Sequence, residues 1–313
     1  MTNPTGRQYL DPKVLNRIAR LDVRARTVVE GFISGLHKSP YQGYSVEFAT
    51  HREYVHGDDI KHIDWKVWAR ADRYYIKQYE EETNLQSTVL LDASKSMRYG
   101  EASRDGRMSK FDYAATVAAS LAYLLQQQQD AVGLVTFDTE VRRTLPPSSH
   151  PSHLKLLLHE LSQTEPDHLT DVADVFHRLA EQIPRRGLVV LLSDLFLDLD
   201  SLRRSLQHFR HKRHEVVVLH VMHEDELEFP FQDNTLFRGL EIDREVLTEP
   251  RALRQAYLEA VGRFLGRVRR LCAAGGIDYM LMSTSDPLDA ALASYLAFRQ
   301  RTALTILGRS AGR

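Results

Sequence analysis

Residues 87–98 read STVLLDASKSMR, in which an apolar run ends on Asp92 and is followed by Ser94 and Ser96. The apolar run is typical of a β-strand, and the two hydroxyls come at alternate positions directly after it. Two interpretations are open at this point. The polar residues either form a turn that caps the next helix, or they supply oxygen ligands to a metal ion.

From residue 86 onwards, strand-like apolar segments alternate with amphipathic helical segments. The run GLVVLLSD at 187–194 is almost continuously apolar, which is typical of a central strand covered on both faces. This alternation predicts an α/β fold with a mostly parallel, Rossmann-like sheet and helices on both faces. Residues 1–85 have a different texture and predict a separate helical and β-rich module, which leaves residues 86–308 for the α/β domain.

Two of the predicted strands end on aspartate, at Asp92 and Asp194. Because ligands of open α/β sheets bind beyond the carboxyl ends of the strands, we expect these side chains to meet at one edge. The segment DHLTD at 167–171 places Thr170 in a loop before the next helix. The candidate ligands carry only oxygen donors, which suit Mg²⁺ and, as alternatives, Mn²⁺ or Ca²⁺: Asp92, Ser94, Ser96, Thr170 and Asp194.

The spacing Asp92-x-Ser94-x-Ser96, with Thr170 and then Asp194 at a later strand end, resembles the metal-ion-dependent adhesion site of von Willebrand factor A domains. The order of the predicted elements is similar to that fold as well. The resemblance implies that the serines and the threonine contact the ion, and that the aspartates contact it directly or through water. The family often has glycine after the last aspartate, whereas Leu195 follows Asp194 in this chain.

A second resemblance comes from GYSVEFATHREYVHGDDIKHIDWKVWAR at 43–70, which lies shortly before the LLDASKSM segment. It is similar to the signature of the domain of unknown function 58, and the matching residues are Tyr54, Gly57, Asp58, Asp59, Ile63, Asp64, Trp65, Ala69 and Arg70. The resemblance implies a partnership with MoxR-type AAA+ ATPases in chaperone-like assembly or maturation of other proteins.

The carboxylates of this signature have a structural interpretation and two functional ones. Asp58, Asp59 and Asp64 are expected to pair with Arg52, Arg70 and backbone amides in a turn-rich clamp. A partner-binding surface and an acidic catalytic cluster are the alternatives, although no nucleophile or phosphate-binding loop accompanies the carboxylates.

Composition narrows the class of protein. The formal net charge of -1 gives no overall attraction to nucleic acid or to an anionic membrane. No apolar run reaches the length of a membrane span, and the first residues lack the apolar core of a secretory signal. The single cysteine, Cys272, fits a reducing compartment, so a cytoplasmic location is expected.

The same stretch that offers metal ligands argues against catalysis. A phosphatase that uses Asp92 as its nucleophile would need a second carboxylate two residues later, where this chain has Ser94. No nucleophile elbow, phosphate loop or dinucleotide fingerprint occurs. The sequence therefore predicts a non-enzymatic, metal-dependent protein-binding module whose ion accepts an acidic side chain from a partner. A Mg²⁺-dependent hydrolase that uses Asp92 and a structural scaffold with an empty site are the alternatives.

Overall fold

The computed structural model describes residues 21–26, 29, 51–53, 74–77, 86–101, 107–167, 173–183, 186–241 and 243–288. The chain divides into two compact units, Gly35–Asn84 and Met1–Ser34 with Leu85–Arg313. The predicted division into 1–85 and 86–308 shares only the boundary near residue 85 with this partition.

In the smaller unit the described residues form a two-stranded antiparallel sheet, with β1 at His51–Glu53 and β2 at Tyr75–Lys77. The two strands fall in stretches whose sequence pattern looks extended. The Gly-Asp-Asp and Ile-Asp-Trp signature at 57–65 lies outside the described residues, so the clamp interpretation stays a prediction.

The larger unit is built on a six-stranded sheet. Its strands are β3 (Gln86–Asp92), β4 (Ala131–Phe137), β5 (Val141–Ser148), β6 (Leu188–Ser193), β7 (Glu215–Met222) and β10 (Asp278–Ser283). Their order across the sheet is β10-β7-β6-β3-β4-β5, and neighbouring strands are parallel except for β5, which pairs antiparallel with β4 at one edge. The predicted α/β architecture with a mostly parallel sheet is confirmed.

Helices connect most of these strands. They are α1 (Lys110–Gln127), α2 (His153–Gln163), α3 (Ala173–Gln182), α4 (Leu199–His211), α5 (Glu224–Glu228) and α6 (Pro250–Ala274). A short 3₁₀ helix at Lys95–Arg98 follows β3, and an antiparallel hairpin of β8 (Thr235–Arg238) and β9 (Glu245–Thr248) precedes α6. The sequence pattern of residues 287–300 predicts a further helix, but these residues lie almost entirely outside the described part of the chain.

Strand β6 shows how the sheet is covered on both sides. Its residues are buried along the whole strand, and they alternate between two hydrophobic cores. Leu192 packs in the core that contains α1 and α2, whereas Leu191 packs in the core that contains α3, α4 and part of α6. A strand buried on both faces needs apolar residues at every position, which explains the continuous apolar run.

The first core also includes residues from the start of the chain. Residues 21–26 and 29 are helical, and Ala25 and Val29 are buried in this core. This packing explains why the beginning of the chain groups with the larger unit.

The antiparallel edge strand β5 differs in composition from the central strands. It carries Pro146 and Pro147 near its end, where the pairing with β4 is irregular between Val132 and Leu134. Proline lacks the backbone N–H that a ladder needs and is confined to edges and bulges. The residues of β5 are mostly exposed or half-buried, in keeping with an edge position.

Candidate metal centre

The candidate site lies where two neighbouring parallel strands end. Strands β3 and β6 pair in register from Ser87 with Leu188 to Leu91 with Leu192. Asp92 is the last residue of β3, and Asp194 directly follows β6. The connections from β3 and from β6 lead to opposite sides of the sheet, and such a reversal opens a crevice in which ligands bind.

The Asp92 carboxylate is fully buried and held by two hydrogen bonds. The backbone N–H of Ser94 donates to Oδ1 at 2.9 Å, and the Ser193 hydroxyl donates to Oδ2 at 2.6 Å. The Ser193 oxygen in turn accepts the backbone N–H of Leu195 at 2.9 Å. These contacts fix the carboxylate at the strand end and tie together the loops that follow β3 and β6.

The electrostatic environment of Asp92 favours a bound cation. Burial, and next the negative charge of Asp194, raise the pKa of Asp92 to about 7, although its hydrogen bonds to Ser193 and Ser94 oppose this shift. The ion pairs of the described residues give Asp92 no cationic partner. A buried carboxylate with oxygen donors around it fits a divalent cation, which would stabilise its charged form.

The two serines lie side by side at this carboxylate. Ser94 Oγ and Ser96 Oγ are 3.0 Å apart, and both residues are buried. Ser94 stands at the N-cap position of the 3₁₀ helix, but its side chain makes no capping hydrogen bond. The N-cap of α1 is Ser109 instead, whose hydroxyl accepts the backbone N–H of Asp112. The capping interpretation is therefore wrong for the Ser94 hydroxyl, while Asp92 does shape the turn.

Asp194 has an ionic partner that the sequence pattern did not indicate. Its Oδ2 accepts a hydrogen bond from Lys110 Nζ at 2.7 Å, and its Oδ1 accepts the backbone N–H of Phe196 at 3.2 Å. Lys110 Nζ also donates to Glu226 Oε1 at 2.9 Å. The lysine and Asp194 are both fully buried. Burial disfavours the ammonium, but the charges of Asp194 and Glu226 outweigh it and raise the pKa of Lys110.

The backbone after Asp194 is unusual at Leu195, where the family pattern often has glycine. Leu195 has a φ of 56°, in the left-handed region, and its side chain is fully buried in the second core. The backbone carbonyl of Asp194 accepts a hydrogen bond from His220 Nε2 at 2.8 Å. His220 is buried, which lowers its pKa to about 4, so it is neutral at pH 7 and its Nδ1 accepts the Tyr279 hydroxyl. Packing and these hydrogen bonds hold a conformation that costs about 1–3 kcal/mol for a residue other than glycine.

Four of the five predicted ligands have described positions at this edge: Asp92, Ser94, Ser96 and Asp194. Thr170 lies outside the described residues, so the complete ligand set stays a prediction. Within the described ranges, no group of three or more His, Cys, Asp or Glu side chains has the arrangement of a metal site. An ion at this edge would thus depend on hydroxyl ligands as well as on carboxylates.

Three residues of the site escaped the sequence pattern: Lys110, Ser193 and Glu226. Ser193 had a visible signal, since a hydroxyl directly before a strand-end aspartate lies beside the neighbouring strand end. Glu226 belongs to α5, a helix of five residues that is too short for a periodic pattern. No property of the sequence separated Lys110 from other lysines at helix starts.

Comparison with known proteins places these observations in a family. A model described as protein of unknown function DUF58 matches residues 50–263. The uncharacterized protein Rv1480 of Mycobacterium tuberculosis is 25% identical over 299 residues, which cover 94% of this chain and 92% of that protein.

Two solved structures are also similar. BatB from Bacteroides thetaiotaomicron shares 15% identity with a TM-score of 0.46, over 69% of this chain and 99% of its own. The SpRpn10 VWA domain shares 11% identity with a TM-score of 0.38, over 66% of this chain and 93% of its own. Within the described ranges, no helix combines the length and apolar content that a membrane crossing requires.

The predicted family is confirmed by the family model. The match to the family model begins in the predicted signature region and continues through most of the α/β domain. Because it spans more than half of the chain, this protein belongs to the DUF58 family.

Proposed function

We propose that this protein is a metal-dependent protein-binding module without enzymatic activity. A Mg²⁺ ion is held at the carboxyl edge of the sheet by Asp92, Ser94, Ser96, Thr170 and Asp194, and it accepts an acidic side chain from a partner protein. Mn²⁺ or Ca²⁺ are the alternative ions, since all ligands are oxygen atoms.

The observation that carries this proposal is the buried Asp92 carboxylate beside two serine hydroxyls. Burial, and next the charge of Asp194, raise the pKa of Asp92, and the ion pairs of the described residues give it no cationic partner. The two hydroxyls lie 3.0 Å apart, and neutral ligands of this kind leave a bound ion electrophilic. An ion with few anionic ligands from the protein has a high affinity for a carboxylate from outside.

Binding accounts for the residues better than hydrolysis does. Ser94 occupies the position at which an Asp-based phosphatase would carry its second carboxylate. The described hydrogen-bond partners of the Asp92 carboxylate are a serine hydroxyl and a backbone amide, neither of which is a general acid or base at neutral pH.

The partner is proposed from the family resemblance. A MoxR-type AAA+ ATPase would drive or sense the assembly in which this module holds its acidic target, in a chaperone-like role. A cytoplasmic location belongs to the same proposal and rests on the reduced, buried Cys272.

The test measures capture of acidic partner proteins, together with any MoxR-type ATPase, from a lysate of the source organism by the immobilised protein. We expect capture in Mg²⁺, loss of capture after chelation, and recovery when excess Mg²⁺ is restored. Asp92→Asn keeps the shape of the side chain and is expected to lose capture. Asp200→Asn removes an equivalent charge from an exposed position on α4 and is expected to retain it.

Two results would contradict the proposal. Capture that is insensitive to chelation and to Asp92→Asn would remove the role of the metal. Mg²⁺-dependent turnover of a phosphate ester such as p-nitrophenyl phosphate, abolished by Asp92→Asn, would favour the hydrolase alternative.

A further inference from the structure

Lys110 occupies a position that is unfavourable for a cation. It is the first residue of α1, directly after the N-cap Ser109, and its side chain is fully buried. The positive end of the helix dipole repels a cation there, and removal of an ammonium from water is costly. A lysine at such a position requires strong local compensation.

That compensation comes from a cage of two carboxylates and two aromatic rings. Lys110 Nζ lies 2.7 Å from Asp194 Oδ2 and 2.9 Å from Glu226 Oε1. The ammonium also lies 4.8 Å from the centre of the Phe196 ring and 5.9 Å from that of Tyr99. The cage is thus built from the segments that follow β3, β6 and β7.

The cage shares one carboxylate with the candidate metal centre. Asp194 is the only one of the four described ligands whose carboxylate is paired with a cation of the protein among the described residues. Asp92 has no such partner among the described residues, and its carboxylate accepts hydrogen bonds only from neutral groups. The two carboxylates at the strand ends therefore differ in the charge that they can offer.

We propose that Lys110 sets the cation affinity of the site by neutralising Asp194, which leaves a bound divalent ion short of anionic ligands and dependent on a carboxylate from the partner. This inference rests on the proposed function and adds to it the residue that determines the metal affinity. Lys110 acts through Asp194, so it is a positioning residue and not a ligand.

Glu226 provides the second hold on the ammonium. Its Oε1 accepts Lys110 Nζ, while its Oε2 accepts the backbone N–H of His223 at 2.9 Å and so closes the capping box of α5. Loss of the Glu226 charge would leave the ammonium more completely to Asp194. Lys110 and Glu226 thus have opposite expected effects on the ion.

The experiment measures Mn²⁺ affinity by electron paramagnetic resonance of the unbound ion, with thermal unfolding as a check of folding. Lys110→Met keeps the length of the side chain and removes the charge, and we expect affinity to rise on the order of 10- to 100-fold. A purely structural role would lower affinity instead. Lys155→Met removes the same charge from an exposed position on α2 and should leave affinity unchanged.

Glu226→Gln is the second arm and is expected to weaken Mn²⁺ binding by roughly 3- to 10-fold. Glu224→Gln is its matched control, because Glu224 lies on the same helix but pairs with Arg107. In the double variant with Lys110→Met, the effect of Glu226→Gln should largely disappear. This second arm keeps the test decisive even where Lys110→Met does not fold.

The outcomes separate the two proposals. Unchanged or weaker Mn²⁺ binding by folded Lys110→Met overturns the role of Lys110 and leaves the metal-dependent module standing. Equal Mn²⁺ affinities of Glu226→Gln and Glu224→Gln would also overturn the role of Lys110 and leave the metal-dependent module standing. Absence of Mn²⁺ binding by both wild type and folded Lys110→Met overturns the metal centre itself.

Discussion

Asp92 carries a negative charge that the metal-free protein accommodates poorly. Its pKa is raised from 3.8 to about 7, so the folded state keeps a proton that the unfolded state releases at lower pH. Its contribution to the free energy of unfolding is therefore lost as the pH rises from about 4 to about 7. A bound divalent cation would reverse this penalty by stabilising the carboxylate.

The Asp92→Asn variant tests this effect of pH on the stability of the protein. Without divalent cations, we expect the variant to gain stability relative to wild type as the pH is raised from about 5 to about 8, because the amide cannot ionise. Thermal unfolding across this pH range measures the difference. Millimolar Mg²⁺ should stabilise wild type at the higher pH and leave the variant unchanged. A constant difference between the two proteins at all pH values would contradict the expected environment of Asp92.

The sequence predicted those site residues that lie at the ends of apolar strands. Asp92 and Asp194 each close an apolar run, and parallel strands bring such ends together. The pairing of Asp194 with Lys110 joins residues 84 positions apart in the chain, and no local pattern encodes that contact. The left-handed backbone of Leu195 was equally hidden, since leucine normally avoids it.

Strand β6 begins where its backbone comes very close to the backbone of the neighbouring strand β3. Gly187 directly precedes the strand, and a Cβ atom placed there would overlap with the backbone carbonyl oxygen of Gln86 on the neighbouring strand. A backbone atom in a paired sheet cannot easily move aside. The start of the strand that presents Asp194 therefore requires glycine.

Gly187→Ala is expected to lower the free energy of unfolding by about 2 kcal/mol or more, because strain at a fixed backbone contact is among the larger single-residue effects. Chemical denaturation measures the change. Gly262→Ala is the matched control: it lies in α6, where an added Cβ meets no heavy atom within 4 Å. Alanine in a helix interior should raise stability there by about 0.5–1 kcal/mol. Equal effects of the two variants would argue against the close approach.

The helices and strands could be predicted from the sequence to different degrees. The apolar run of β6 and the amphipathic pattern of α1 extend over enough residues to reveal their period. Helix α5 has five residues and begins at a His223 capping box, a contact that a periodic pattern cannot show. The short element that supplies Glu226 was therefore missed, although it completes the cage of Lys110.

At the scale of the whole molecule, one sheet joins two hydrophobic cores. Leu191 and Leu192 are adjacent in β6 yet pack on opposite faces, and both are buried to within 1% of complete burial. Replacement of either by alanine should cost about 2–5 kcal/mol. Leu247→Ala, on the exposed face of β9 with 73% of the residue accessible, should change stability by less than about 0.5 kcal/mol.

Because both cores share the same strands, each of the two buried variants is expected to unfold in a single transition. Far-ultraviolet circular dichroism and calorimetry should report the same midpoint for the thermal unfolding of each variant. Two separate transitions in either variant would show that the two faces of the sheet are independent.

The prolines of β5 affect the tendency of the sheet to aggregate. A sheet with an open edge can recruit a strand from another molecule and begin to aggregate. Pro146 and Pro147 offer no N–H groups to such a newcomer, and Arg142 and Arg143 place charge on the same strand. Strand addition from that side is thereby discouraged, so the edge strand that ends the sheet also keeps the sheet from becoming a template for other chains.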